Sequence, residues 1–249
     1  MRIETGVVYG RGGARELKFD VYQPPVDRAY RPAVLLIHGG GWYEGDRTML
    51  QGYAVQLARR GFVAFACEYR LSGEAVWPAQ LDDVTLAFRA IRPRAAELAI
   101  DPNRVAVLGN SAGGHLALML AATLHGASFR PAAVVALYPP ARLRGLSADG
   151  AVAALLGGRL EPGRLRDASP IEQVSPGFPP TLLLHGNADD VVPCEDSLDL
   201  YAQLRQVGSG AELHLFEGAG HGFDTEPDLG RQCLQLIALF LERKVVRRG

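Results

Sequence analysis

A serine flanked by glycines stands where a predicted strand turns directly into a predicted helix. The stretch is Gly-Asn-Ser-Ala-Gly at 109–113, preceded by a β-branched apolar run at 105–108 and followed by apolar residues at helical spacing. A chain that turns this sharply has no room for side chains beside the turn, so it needs glycines two residues before and after Ser111. Such a turn holds the Ser111 hydroxyl clear of the sheet, which makes Ser111 a candidate nucleophile.

Strand and helix patterns alternate along the rest of the chain. Strands are predicted at 5–9, 16–22, 33–37, 63–69, 105–108, 133–138, 181–184 and 212–216. Helices are predicted at 48–60, 80–99, 112–124, 197–207 and 229–244. This alternation predicts an α/β fold with a mostly parallel twisted sheet and helices on both faces. The 249 residues, 48% of them hydrophobic, suit one α/β domain over 1–249 with a core on each side of the sheet.

A serine hydroxyl is a weak nucleophile, so it needs hydrogen-bond donors for the charge that develops on the reacting carbonyl. The predicted strand at 33–37 runs into His-Gly-Gly-Gly-Trp at 38–42. Consecutive glycines leave the backbone free to direct N–H groups at a substrate. We expect the N–H groups of Gly40, Gly41 and Ala112 to form this oxyanion hole.

The nucleophile also needs a base and an acid that orients the base. The strand at 181–184 leads to Asp189 and Asp190, and spacing alone does not choose between them. The strand at 212–216 leads to His221 in a glycine-flanked loop, from which an imidazole can reach the serine. The order serine, aspartate, histidine is that of the α/β-hydrolases. His38, His115 and His185 are expected to pack or to form structural hydrogen bonds.

Other classes of function receive little support. The net charge is −1 with arginines spread along the chain, which does not indicate nucleic-acid binding. Three cysteines without motif spacing argue against a disulfide framework, and no metal-ligand motif is present in the sequence. No signal-peptide pattern and no apolar run long enough for a membrane span occur, so a cytoplasmic location without membrane attachment is expected.

A longer connection separates two of the predicted core strands. Residues 140–179 contain a small apolar patch and then glycine- and proline-rich sequence. An insertion at this place lies above the catalytic edge of the sheet, so it is a candidate small lid; a solvent-facing excursion without a role is the alternative. Trp42 and Trp77 are expected in loops at the mouth of the site, where they either contact the substrate or simply pack.

Several motifs together resemble the α/β-hydrolase esterases, in particular the bacterial acetyl-xylan and feruloyl esterase-like branch. They include the Gly-Asn-Ser-Ala-Gly-Gly-His stretch at 109–115, Ile-Asp-Pro-Asn-Arg at 100–104 and Pro-Pro-Thr-Leu-Leu-Leu-His-Gly at 179–186. The His-Gly-Gly-Gly-Trp loop resembles that of the hormone-sensitive-lipase-like group, although the helical cap of that group is missing before the first core strand. The likeness extends over about 19–240.

The resemblance implies a serine carboxylesterase that needs no cofactor and acts on a small-molecule ester. It favours Asp189, as the first Asp of an Asp-x-x-Val-Pro pattern, over Asp190, and it favours His221 of a His-Gly-Phe motif as the base. Short acyl chains are expected because no long apolar helix is available to line an acyl tunnel. Two alternatives stay open: an arylformamidase or other amide hydrolase, whose glycine loop usually carries Tyr at the place of Gly41, and a non-catalytic ligand-binding member of the fold.

Overall fold

An eight-stranded sheet carries the candidate site residues on loops at one edge. The structure, a computed structural model, describes residues 1–25, 30–146 and 150–246. The strands are β1 (Arg2–Gly12), β2 (Arg15–Gln23), β3 (Arg31–Ile37), β4 (Val63–Cys67), β5 (Ile100–Asn110), β6 (Val134–Leu137), β7 (Thr181–Gly186) and β8 (Ala211–Phe216). Their spatial order is β1-β2-β4-β3-β5-β6-β7-β8; the pairs β1–β2 and β2–β4 are antiparallel, and the pairs from β4 to β8 are parallel. The predicted mostly parallel sheet is confirmed.

Helices cover both faces of this sheet. They are α1 (Gln51–Arg59), α2 (Ala79–Ile91), α3 (Ala112–Thr123), α4 (Gly150–Leu156), α5 (Pro162–Asp167), α6 (Pro170–Gln173), α7 (Glu195–Gln206) and α8 (Pro227–Leu241). Alternate residues of β3 show why both faces are covered: Ala33, Leu35 and Ile37 join the core beneath α2, α3 and α7, whereas Val34 and Leu36 join the core beneath α1 and α8. Strands buried on both faces read as continuous apolar runs, as β3 does.

The helix predicted at 80–99 ends earlier than its pattern indicates. In the structure α2 stops at Ile91, and turns continue to residue 99. Pro93 explains the early end, because proline has no N–H to donate and its ring clashes with the carbonyl one turn before it. The next strand, β5, begins at Ile100 rather than at 105, because Ile100 pairs with Arg31 at the start of β3.

The insertion at 140–179 is more ordered than the sequence indicates, although its residues 147–149 lie outside the described residues. Three short helices, α4, α5 and α6, form within it, and Val152, Leu155 and Leu165 are buried in the core that contains α3. The backbone also ties this segment to the rest of the chain, since the Trp77 N–H donates to the Leu155 carbonyl at 2.8 Å. Its role as a lid stays a prediction.

Within the described ranges, no helix combines the length and the apolar composition needed to cross a membrane.

Candidate active site

The turn at Ser111 has the sharp backbone predicted from the sequence. Ser111 joins β5 to α3 with φ +51° and ψ −123°, a conformation that residues with a Cβ rarely adopt, and its N–H donates to the Leu137 carbonyl at 2.8 Å. A Cβ at Gly109 would overlap the Gly113 carbonyl, and a Cβ at Gly113 would overlap the Ile37 carbonyl. The two glycines therefore permit β5, α3 and β3 to approach closely around the serine.

Three candidate residues from distant parts of the chain form one hydrogen-bonded line. The Ser111 hydroxyl lies 2.9 Å from His221 Nε2, and His221 Nδ1 lies 2.7 Å from Asp189 Oδ2. With the proton on Nδ1, His221 donates to the carboxylate and presents Nε2 as the acceptor for the serine proton. Asp189 is the aspartate in contact, whereas Asp190 is exposed.

The surroundings of Asp189 hold its carboxylate in the charged form. Its side chain is inaccessible to solvent, and its Oδ1 accepts the N–H groups of Val191 at 2.9 Å and Val192 at 2.8 Å. Burial by itself raises the pKa of the Asp189 carboxyl, but hydrogen bonds from His185, His221 and the Val192 N–H outweigh it and hold that pKa well below its usual range. An ionised Asp189 is the form that can accept the His221 Nδ1–H.

His185 braces the loop that carries Asp189. The buried imidazole donates from Nε2 to the Val192 carbonyl at 2.9 Å and accepts the Ser197 hydroxyl at Nδ1 at 2.7 Å. Its Nε2 is also 3.3 Å from Asp189 Oδ2. This histidine thus connects the strand end of β7, the acid loop and helix α7.

The glycine loop and the start of α3 lie beside the serine. Gly40 accepts the N–H groups of Tyr43 and Glu44 at 3.1 and 3.0 Å, which closes a tight turn, while Gly41 and Ala112 line a cavity of about 40 Å³ together with Ser111. In the described part of the chain, the N–H groups of Gly40, Gly41 and Ala112 have no protein acceptor. Free donors beside Ser111 are what an oxyanion hole requires.

The two tryptophans occupy different environments. Trp42 is buried, donates from Nε1 to His115 Nδ1 at 3.3 Å and lines the 40 Å³ cavity beside Ser111. Trp77 is also buried, and its ring lies 5.5 Å from the His115 ring. Trp77 is not among the described residues that line this cavity, so its placement supports packing and gives no support to the expected substrate contact.

Burial keeps two further histidines uncharged. His38 donates from Nδ1 to the Gly39 carbonyl at 2.7 Å and stacks on Tyr69, and burial lowers its pKa to about 4. His115 contacts the Ala168 carbonyl through Nε2 at 2.7 Å, and burial lowers its pKa to about 4 as well. Both form structural hydrogen bonds.

These two histidines predict acid sensitivity of the fold. An unfolded histidine binds a proton below about pH 6.5, whereas His38 and His115 resist protonation until about pH 4, so acidification favours the unfolded chain in this window. We expect a loss of up to about 3 kcal/mol for each histidine between these pH values. The free energy of unfolding, determined by urea titration at several pH values, measures this loss.

In the variant His115→Gln, the slope of the unfolding free energy against pH should be smaller than in the wild type. The difference should correspond to about one fewer proton taken up on unfolding. His125→Gln changes an exposed histidine and is the control. Identical slopes for His115→Gln and the wild type would contradict the prediction.

Tyr138 and Asp224 are site residues that the sequence analysis missed. The Tyr138 ring lies edge-on to His221, with centroids 4.6 Å apart, and its hydroxyl donates to Asp224 Oδ1 at 2.5 Å. Asn110 donates to the same hydroxyl at 3.1 Å, and the Tyr53 hydroxyl donates to Asp224 Oδ2 at 3.0 Å. Their positions in the sequence could have indicated them, because Tyr138 directly follows β6 and Asp224 directly follows the His-Gly-Phe motif.

Among the described residues, no three histidine, cysteine, aspartate or glutamate side chains are grouped so as to hold a metal ion.

A mostly parallel sheet with helices on both faces, and a serine at the turn from a strand into a helix, defines the class as the α/β-hydrolase fold. Within that class the chain belongs to the BD-FAE family, whose model matches residues 19–204. The predicted resemblance to α/β-hydrolase esterases is thereby confirmed.

Individual relatives are esterases by name. Over 95% of its residues, this chain is 34% identical to esterase LipC of Mycobacterium tuberculosis. The matched part spans 64% of LipC. It is similar to the structure of Thermogutta terrifontis esterase 2 phosphoramylated by tabun, with TM-score 0.84 and 29% identity, covering 97% of this chain and 94% of that one. It is also similar to a truncated form of a carbohydrate esterase from gut microbiota, with TM-score 0.87 and 27% identity. That match covers 99% of this chain and 97% of the esterase.

Proposed function

We propose that this chain is a serine carboxylesterase that hydrolyses short-chain acyl esters. The observation that carries the proposal is the unbroken line of hydrogen bonds from the Ser111 hydroxyl through His221 to the buried Asp189 carboxylate. Its relatives support the reaction class, since LipC is named an esterase and Thermogutta terrifontis esterase 2 has structures with propionate and with butyrate bound.

The reaction follows from the position of each group. His221 Nε2 takes the Ser111 proton as the serine oxygen attacks the ester carbonyl, and the N–H groups of Gly40, Gly41 and Ala112 stabilise the oxyanion. His221 then gives its proton to the alcohol oxygen, which leaves. Water repeats these steps on the acyl-enzyme, and Asp189 stabilises the imidazolium in both halves of the reaction.

Two assays test this proposal together. The purified chain should hydrolyse p-nitrophenyl acetate, and the organophosphate paraoxon should inactivate it at one equivalent with a mass increase on the peptide that contains Ser111. The second assay has a precedent in Thermogutta terrifontis esterase 2, which has a structure phosphorylated by paraoxon. A chain that binds the ester without turnover would be a ligand-binding protein, and faster turnover of formanilide than of phenyl acetate would identify an amide hydrolase.

The cavity beside Ser111 predicts a preference for short acyl groups. Its volume of about 40 Å³ holds on the order of three water molecules, and Trp42, Pro140, Val152 and Val192 are among the residues that line it. A longer chain gains about 0.8 kcal/mol for each methylene only where it is buried, so added carbons that stay in water contribute little. We expect kcat/KM for p-nitrophenyl esters to be highest from acetyl to butyryl and to fall for longer chains.

Enlarging the cavity should move this optimum. Val152→Ala removes two methyl groups from the cavity wall, so the preferred acyl chain should become longer. Val174→Ala is the control, because Val174 is a buried valine elsewhere in the same core and does not line the cavity. Rates that climb steadily from butyryl to palmitoyl esters in the wild type would contradict the short-chain proposal.

A further inference from the structure

Tyr138 lies between the turn that carries Ser111 and the loop that carries His221. It directly follows β6, the strand between β5 and β7 in the sheet. It is buried, and its N–H donates to the Leu184 carbonyl of β7 at 2.7 Å. Its φ of +38° is in the left-handed region that bulky residues rarely adopt, and such strain persists where the surrounding structure holds the residue in place.

The Tyr138 hydroxyl connects these two segments of the chain. It donates its proton to Asp224 Oδ1 at 2.5 Å, and Asp224 follows His221 by three residues. A hydroxyl has only one proton, so the 3.1 Å contact with Asn110 is a donation from Asn110 Nδ2 to the hydroxyl oxygen. Asn110 directly precedes Ser111. These two hydrogen bonds, the tyrosine bridge, join the turn of the nucleophile to the loop of the base.

Burial maintains the protonation state that the tyrosine bridge needs. It raises the pKa of the Tyr138 hydroxyl well above its usual range, and the charge of the neighbouring Asp224 raises that pKa further. The hydroxyl therefore keeps its proton and remains the donor to Asp224.

Hydrogen bonds are needed here because packing is incomplete on one side. A cavity of about 400 Å³ lies between the start of α1 and the start of α8, and Tyr53, Asn110 and Asp224 are among the residues that line it. Atoms that line a cavity lack contact partners on that side. The positions of Asn110 and Asp224 therefore depend on their hydrogen bonds, to Tyr138 and, for Asp224, also to the Tyr53 hydroxyl at 3.0 Å.

The His221 loop also needs an external support. Glycines flank His221 on both sides, so its neighbours in the chain have no side chains that could fix the ring. The hydrogen bonds to Ser111 and Asp189 hold the two ring nitrogens but leave the ring free to tilt about the line that joins them. The edge-on ring of Tyr138, with centroids 4.6 Å apart, restrains this tilt.

We propose that Tyr138 is a positioning residue whose hydroxyl, by joining Asn110 to Asp224, sets the separation between the Ser111 oxygen and His221 Nε2. The assignment rests on the proposed esterase function. The separation is 2.9 Å, within the range that proton transfer to a general base requires. Loss of the hydroxyl lets the two segments move apart and slows each step in which His221 takes or gives a proton.

Tyr138→Phe tests the hydroxyl, because it keeps the ring that contacts His221. Both halves of the reaction use His221, so we expect kcat for p-nitrophenyl acetate to fall about tenfold while KM stays close to the wild-type value. Tyr9→Phe is the control. It removes another buried tyrosine hydroxyl, which donates to the Glu68 carbonyl at 2.6 Å, and it should leave kcat unchanged.

A double variant tests whether Asn110 and Tyr138 act through one connection. Asn110→Ala breaks the tyrosine bridge at its other end, so it should also lower kcat by about tenfold. When both substitutions are combined, kcat should stay near that of the slower single variant, whereas independent effects would multiply to about a hundredfold loss.

Two substitutions of Asp224 separate the hydrogen bond from the charge. An asparagine oxygen can still accept the Tyr138 proton, so Asp224→Asn should keep most of the wild-type kcat. Asp224→Ala removes the acceptor and should resemble Tyr138→Phe. This pair also decides the matter if Tyr138→Phe does not fold.

Three outcomes overturn the proposal: a kcat in folded Tyr138→Phe within about twofold of the wild type, multiplied losses in the double variant, or equal losses in Asp224→Asn and Asp224→Ala. In each case, Ser111-dependent turnover by the wild type would leave the esterase function standing. Absence of turnover by the wild type would instead refute the esterase function itself.

Discussion

Ser111→Ala should lower kcat for ester hydrolysis by about 10⁴-fold or more while the fold is retained. The substitution removes the oxygen that would form the acyl-enzyme, and neither His221 nor water at the same place replaces it. The hydroxyl makes its hydrogen bond to His221, and alanine has the same Cβ in the same strained backbone, so packing around the turn is preserved.

The measurement is kcat for p-nitrophenyl acetate beside the thermal unfolding midpoint of the same preparation. Ser128→Ala changes an exposed serine beyond the C-terminal end of α3 and should match the wild type in both. An alanine variant at 111 that keeps a tenth of the wild-type activity would refute Ser111 as the nucleophile.

Asp189→Asn should lower turnover by roughly three to four orders of magnitude, and Asp190→Asn should have little effect. An asparagine amide can present its N–H₂ group to His221 Nδ1, and this contact favours the tautomer that carries the proton on Nε2. A protonated Nε2 cannot accept the serine proton. The variant also removes the charge that would stabilise the imidazolium. Asp190 is exposed, so the amide that replaces its carboxylate faces solvent.

The paired variants control for each other, since the two aspartates are adjacent and the chemical change is identical. Both should be compared at equal folded fraction, because the Asp189 side chain is buried and accepts two backbone N–H groups. A severe loss in Asp190→Asn with a mild loss in Asp189→Asn would move the acid to Asp190.

Fold class and the chain order of the candidate residues were accessible from local pattern. Apolar runs such as β3 at Arg31–Ile37 mark strands that are buried on both faces, and the glycines around Ser111 mark a turn that admits no side chain. Pro93 also predicts the helix end at Ile91, although the apolar pattern that continues after Pro93 predicted a longer helix.

The choice between two adjacent aspartates depended on tertiary structure. Asp189 and Asp190 have the same chemistry and differ by one position, so only the direction of the loop after β7 decides which carboxylate turns inward. The same holds for the tryptophans: both were expected at the mouth, but Trp42 lines the cavity at Ser111 while Trp77 packs on His115.

Residues with a short-range sequence signature were therefore predictable, because a turn, a strand or a glycine motif is specified by neighbours in the chain. The cluster of Asn110, Tyr138, Asp224 and Tyr53 has no such signature, since its members come from four separate elements and meet only when β5, β6, α1 and the loop before α8 pack together. The cavity beside Ser111 and the larger cavity between α1 and α8 are likewise spaces between elements. Their size and position depend on how side chains far apart in sequence fill the volume above the sheet, which the order of residues does not encode locally.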